Sequence, residues 1–476
     1  MTELHRMTLS QASAALAAGD TSSVELLDAV LRQAHRVGPT LNAFLRIDAD
    51  SARAHAVRAD NERHAGLVRT PLHGIPLAHK DMFYRAGASS SRGARVAANE
   101  PAQRTADVLQ RLDNAGAIQF GVLNMAEFAM GPTGHNWIHG HCRNPWDTAR
   151  ITGGSSSGSG AAVAARATFG ALGSDTGGSV RLPASLCGVT GLKTTAELVS
   201  RAGAMPLSYT MDTIGPLART AEDCALLLDV IAGNGPDGLP WQPCAPRLNE
   251  SISGLRIGVP IGYFDDQIDA DITGPLAESL KTFAELGCSI IPVQMPELRA
   301  INAAGTLINA SEAAALHGNW LREQAGDYSE QVRSRIERGF CVPAVQYIDA
   351  LRYRAIAVRE FVDAVFSQVD VLHAPCVAIE TPEIDATDVG AGPEMDALMA
   401  QLTRLTRPFN YLGLPALSVP CGFSTGGMPI GMQLAGRPFA EDILLRLGQA
   451  YQRVTSWHAT MPPSERQDGG LATFTT

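Results

Sequence analysis

"ITGGSSSGSGAAVAARATFGALGSDTGGSVRLPA", residues 151–184, sets two clusters of glycine and serine on either side of a run of small residues. Glycine lets the backbone adopt conformations closed to other residues and lets other groups come close, while serine adds hydroxyls that can attack or relay a proton. What the chain does with this combination decides both fold and function.

Three readings compete. Glycines ahead of a helix can cradle a phosphate on free N–H groups, but neither G-x-x-x-x-G-K-[ST] nor G-x-G-x-x-G occurs within 153–160. Residues 154–158, GSSSG, satisfy G-x-S-x-G, the nucleophile elbow, and would make Ser156 the nucleophile of an esterase-like α/β-hydrolase. That elbow needs a strand before it and a triad histidine after it. "HCRNPWDTARIT" is a poor strand, and the later histidines are only His317, His373 and His458. The third reading uses both clusters. Thr176, Gly177, Gly178 and Ser179 form a string whose N–H groups can converge on a developing oxyanion beside an attacking hydroxyl.

With that reading, residues 151–195 resemble the signature block of the amidase signature family: GGSS, then DTGGSVRLPA, then CGVTGLKTT, in order. Upstream, "GIPLAHKD" is similar to the family's lysine strand. The resemblance extends through "LNAF", "GVLNMAEFAMG", "RNPWD", "GPLART", "LPALSVPCG" and "GMPIGMQLAGRPF", covering nearly the whole chain and weakening between about 295 and 350. Ser157 departs from the family's usual glycine and Gly160 from its usual small side chain.

The resemblance implies a mechanism. Ser179 attacks an amide carbonyl, Ser155 relays its proton, Lys80 is the base, and the N–H groups of Thr176, Gly177, Gly178 and Ser179 hold the oxyanion. It also implies a cis peptide bond at Gly154–Ser155. A base lysine must start neutral, so its pKa must fall from about 10.4 toward roughly 7 to 8, a bias of about 3 to 5 kcal/mol. The apolar stretch "GIPLAHK" suggests burial as the source. Asp175 and Arg181, flanking the nucleophile, read as an ion-paired brace and, with Gly154, as structural support.

"HNWIHGHC" places His135, His139, His141 and Cys142 at spacings a metal could use. Trp137, Gly140 and the flanking Pro132 and Pro145 put them on an irregular loop, and the family needs no metal. No metal and no cofactor are expected, and Met130, Gly131 and Trp137 are candidate substrate-pocket residues.

Within the family the chief rival reading is the glutamine-hydrolysing A-type component of an aminoacyl-tRNA amidotransferase. The resemblance implies that such a protein holds glutamine with an arginine in a C-terminal helix and an acidic residue just before the LPAxSVP strand. Arg359 aligns with the first and Thr403 with the second. The missing carboxylate favours a self-sufficient hydrolase of amide, aryl amide, carbamate or urea-like C–N bonds.

Outside the signature, "GIPLAHKDMF" (74–83), "AIQFGVLNM" (117–125), "LRIGVP" (255–260), "CSIIPV" (288–293), "VDVLHAPCV" (369–377) and "ALSVPCGF" (416–423) read as strands separated by helices. Ser22-x-x-Glu25 fits a capping box opening a helix. The expected fold is α/β: a single large domain with a central mixed, mostly parallel sheet covered by helices on both faces. Residues 1–60 form a helical N-terminal part and 61–476 the main α/β unit. Of the 476 residues, 45% are hydrophobic and 18% charged, with net charge −10, so the core is ample and no basic footprint for nucleic acid is present. Eight dispersed cysteines, no signal peptide and no apolar span point to the cytoplasm. The expected partner is a small-molecule amide-type substrate, with no nucleic acid, no membrane, and a homodimer as the oligomeric option.

Overall fold

The computed structural model describes residues 3–96, 98–235 and 238–463. Among the described residues there are eleven strands: β1 (Phe44–Ile47), β2 (Pro76–Lys80), β3 (Ile118–Leu123), β4 (Gly170–Asp175), β5 (Thr190–Lys193), β6 (Thr213–Ala218), β7 (Arg256–Ile261), β8 (Ser289–Gln294), β9 (Val371–Pro375), β10 (Ala416–Phe423) and β11 (Pro429–Gly436). Eight of them form one sheet in the order β4-β6-β5-β10-β11-β9-β7-β8, flanked by helices, and β1-β3-β2 form a second, small sheet.

The class is α/β with one large mixed sheet, but the parallel bias expected of it is absent. Only β7–β8 and β7–β9 are parallel; every other neighbouring pair in the large sheet is antiparallel. The reason is local. β10 turns straight into β11 through a tight loop closed by Ser424 N–H donating to Met428 O at 2.8 Å, and a connection that short can only join antiparallel strands. Helical crossovers of the kind a parallel pair needs occur around β7, β8 and β9, as with helix Ala270–Glu285 between β7 and β8.

The N-terminal stretch holds helices Leu9–Ala18, Ser23–Leu41 and Ala49–His64, interrupted by β1, which pairs antiparallel with β3. Ser22 and Glu25 make the capping box, each side chain reaching the other's backbone N–H. Behind it Leu27 and Val30 are fully buried, so the helix is held by its apolar face. All eight cysteines are unpaired, and among the described residues no helix is long and apolar enough to cross a membrane.

Candidate active site

β2 is buried along its whole length and ends at Lys80. It packs against β4 of the large sheet, so a lysine from the small sheet reaches hydroxyls of the large one. Lys80 Nζ donates to Ser155 Oγ at 2.7 Å and to Ser174 Oγ at 2.9 Å. Lys80 is 1% exposed. Burial pulls its pKa down to about 7, against the opposing pull of Asp212 and then Asp175.

Ser155 follows a cis peptide bond from Gly154. Gly154 admits no side chain, since a Cβ there would lie 2.4 Å from Gly131 O and 2.6 Å from Gly134 N. Its own N–H donates to Pro132 O at 2.7 Å. The short helix Ser157–Ala164 that follows is buried throughout, which its small residues permit.

β4 delivers the second cluster. The Asp175 carboxylate organises the turn after it, accepting from the N–H groups of Gly178 at 2.7 Å and Val180 at 3.1 Å. Arg181 grips the same carboxylate through Nε and Nη2, both at 3.0 Å, and both side chains are fully buried. Arg181 then donates to Gln433 Oε1 and Asn410 Oδ1, and Asn410 Nδ2 returns to Asp175 Oδ1 at 2.8 Å. Burial alone would raise the Asp175 pKa, but Arg181, Lys193 and Asn410 outweigh it and hold it well below the usual carboxylate range. Gly178 sits at φ +128°, and Thr406 Oγ1 would lie 2.4 Å from any Cβ there.

The structure thus brings Lys80, Ser155 and the turn carrying Ser179 into one place; Ser156 N–H donates to Ser179 O at 3.3 Å. Ser179 is 9% exposed, and among the described residues its hydroxyl makes no hydrogen bond. The Gly178 N–H expected at an oxyanion is committed to Asp175 instead. Ser156 is fully buried and donates to Ser174 O at 3.4 Å. Two of the histidines that an elbow would need are engaged elsewhere, His373 with Ser279 and His317 with Tyr328.

Gly131 adjoins Gly154 through its carbonyl, and Met130 is buried. Trp137, 37% exposed, stacks edge-on against His135 and His141. His135 Nε2 is 2.9 Å from Thr387 Oγ1, and His141 Nδ1 accepts from Asn136 N–H. Arg359 lies at the exposed surface of its helix, whereas Arg354 on the same helix reaches in to Thr210 O and the Tyr411 ring. Thr403 Oγ1 donates to Met399 O within its own helix.

Sequence reading missed Ser174 and Asp212. Ser174 is adjacent to Asp175 on a buried strand, and that adjacency was the available signal. Asp212 holds Thr176 Oγ1 at 2.6 Å, and burial pushes its pKa up; nothing in its local sequence announces it.

The Amidase family model matches residues 25–445. The chain belongs to the amidase signature family and is an amidohydrolase acting on C–N amide bonds. It is similar to the A-type component of glutamyl-tRNA(Gln) amidotransferase from Chloroflexus aurantiacus, 40% identical over 489 residues, covering 97% of this chain and 99% of that one. Among solved structures it resembles one from a vestigial protein complex that reveals the evolutionary origins of an s-triazine catabolic enzyme (TM-score 0.87, 37% identity, 94% of this chain and 98% of that one). It also resembles 6-aminohexanoate cyclic dimer hydrolase (TM-score 0.88, 27% identity, 97% and 99%).

These relatives correct one expectation. A partner set confined to a small-molecule substrate, without nucleic acid, does not stand beside relatives that match end to end and are components of an enzyme named for glutamyl-tRNA(Gln). The physical reason is that the net charge of one chain does not report what other chains of an assembly bind.

Proposed function

We propose that this chain hydrolyses a terminal carboxamide through an acyl-enzyme on Ser179, as the amide-cleaving A-type component of an amidotransferase-like assembly, with glutamine as the amide donor. The observation that carries the chemistry is the buried Lys80 Nζ, 2.7 Å from Ser155 Oγ and pulled down to a pKa of about 7 by burial. The end-to-end likeness to A-type components supports the assembly.

In this reading Ser179 Oγ attacks the carbonyl carbon while its proton passes through Ser155 Oγ to neutral Lys80 Nζ. The oxyanion meets the N–H groups of the 176–179 turn other than that of Gly178. The proton returns along the same path to the leaving nitrogen, the C–N bond breaks, and ammonia departs. Water, activated by the same relay, then cleaves the ester. Met130, Gly131 and Trp137 flank the approach.

One observation favours a second reading of the substrate. Thr403, where the resemblance puts the acid that would answer glutamine's ammonium, is an uncharged hydroxyl bonded to its own helix. A carboxamide that carries a carboxylate but no ammonium suits that position better.

The test is ammonia release from glutamine and from glutaramate by the chain alone and by the chain with the other components of a glutamyl-tRNA(Gln) amidotransferase. Glutamine turnover that rises with the added components is the expected result. Turnover of glutaramate but never of glutamine would transfer the assignment to the second reading, and turnover of neither would contradict both.

A further inference from the structure

Ser155 is seated on one continuous stretch of backbone, residues 126–134. Ala126 N–H donates to Ser155 O at 3.0 Å, and Pro132 O accepts from Gly154 N–H at 2.7 Å. Gly131 O and Gly134 N close on Gly154 so tightly that no side chain fits there. The seat is strained: Phe128 and Ala129 stand at φ +49° and +61°, in the left-handed region that residues with a Cβ avoid. Such a conformation persists where its surroundings enforce it.

The enforcement comes from elements far along the chain. The Phe128 ring is fully buried, its centroid 4.5 Å from that of His317, 5.9 Å from Trp320 and 5.3 Å from Tyr328. Beside it, the Glu127 carboxylate accepts from Ser329 N–H at 3.2 Å and from Ser329 Oγ. His317 and Trp320 belong to helix Arg299–Gln324, and Ser329 is the N-cap of helix Glu330–Gly339. Both helices lie in the stretch where the sequence is least like the family.

Glu127 is 1% exposed, and among the described residues it makes no ion pair. Burial pushes its pKa up to about 6, against the Ser329 bonds and the more distant charge of Arg95. A carboxylate out of water without a salt-bridge partner is costly. What answers it is the start of helix Glu330–Gly339, where free N–H groups and the helix dipole favour an anion. The strained segment that this contact fixes touches the reacting groups at one point, through the bond from Ala126 to Ser155, whose hydroxyl is 2.7 Å from Lys80 Nζ.

We propose that Glu127 is a positioning residue: anchored on Ser329, it fixes the 126–134 seat and thereby holds Ser155 Oγ at Lys80 Nζ. The inference rests on the reading of Ser155 as the proton relay to Ser179.

Labelling of Ser179 by a fluorophosphonate at pH 8 separates a limiting rate, which reports the relay, from a half-saturating concentration, which reports binding. Glu127→Ala lowers the limiting rate by about 10- to 100-fold, the range that a misplaced group costs, and leaves half-saturation unchanged. Ser329→Ala acts in the same direction and more mildly, since the Ser329 N–H remains. Glu127→Gln, which keeps an acceptor for that N–H, restores most of the rate. In Ser155→Ala protein, itself slowed, neither alanine change slows labelling further, because a residue that acts through Ser155 has nothing left to position. Thermal melts check that each variant is folded at the assay temperature, and if Glu127→Ala is not, Ser329→Ala carries the test. An unchanged limiting rate in the folded variants, a raised half-saturating concentration in place of a lowered rate, or equal slowing with and without Ser155 overturns the positioning role. Full-rate labelling of Ser155→Ala protein overturns the relay itself, so the two failures are told apart.

Discussion

Lys80 carries opposed demands. Its ammonium is out of water, with the Ser155 and Ser174 hydroxyls within hydrogen-bond reach and Asp212 and Asp175 as more distant counter-charges. Burial wins, and the folded pKa falls to about 7. For the base role proposed for Lys80, the expected activity consequence is that kcat/KM rises with pH through a midpoint near 7 and that Lys80→Met lowers it by at least about 100-fold. The stability consequence has a definite sign. Between about 7 and the unfolded value near 10.4 the unfolded chain binds the extra proton, so the penalty on the folded state is full below 7 and is relieved as pH rises. Lys80→Met is therefore more heat-stable than wild type at pH 6.5, and the gain shrinks toward pH 10. A melting series across that range checks it; a gain independent of pH would place the effect in packing rather than charge. Of the residue-scale features, Lys80, Ser155 and Ser179 were legible because they sit in short ordered motifs. Ser174 and Asp212 were not, since their roles depend on how β4 and a distant loop fold against the lysine.

At the scale of elements, the turn after β4 and helix Arg181–Cys187 are fastened by one buried pair. Asp175 fixes two backbone N–H groups within 3.1 Å, and Arg181 ties that carboxylate to Gln433 and Asn410. Removing one member of a buried pair leaves the other charge uncompensated, at a cost of about 3 to 5 kcal/mol. Arg181→Met is expected to lower the unfolding midpoint accordingly and to disorder the turn that carries Ser179, and chemical denaturation reads the first effect directly. A change under about 1 kcal/mol would show that the pair does not brace the turn. Asp175 and Arg181 could be read as a brace because six positions separate them in one motif. Asn410 and Gln433 could not, because they arrive from strands and helices more than two hundred residues away. The same locality explains the sheet. Strands such as β10 and β7 announced themselves as apolar runs, but β4, β5 and β6 are short and rich in glycine and serine or threonine, and their antiparallel pairing is set by turns and neighbours rather than by period.

In the whole molecule the site exists only where two sheets meet. Lys80 comes from the small sheet, Ser155 from the loop ahead of a buried small-residue helix, and Ser179 from the turn after edge strand β4 of the large sheet. The glycines at 154 and 178 allow that approach, each standing where a Cβ would strike a neighbour. The likeness to A-type components of an amidotransferase likewise runs end to end and is a property of the whole chain rather than of one motif. The central claim, that this convergence makes Ser179 a nucleophile driven by Lys80, is tested most directly by peptide mass spectrometry after reaction with a fluorophosphonate. The account predicts a single adduct on Ser179, absent in Ser179→Ala, unaffected by Ser156→Ala and slowed in Lys80→Met. An adduct on Ser156, or labelling of Ser179 at the same rate without Lys80, would contradict it.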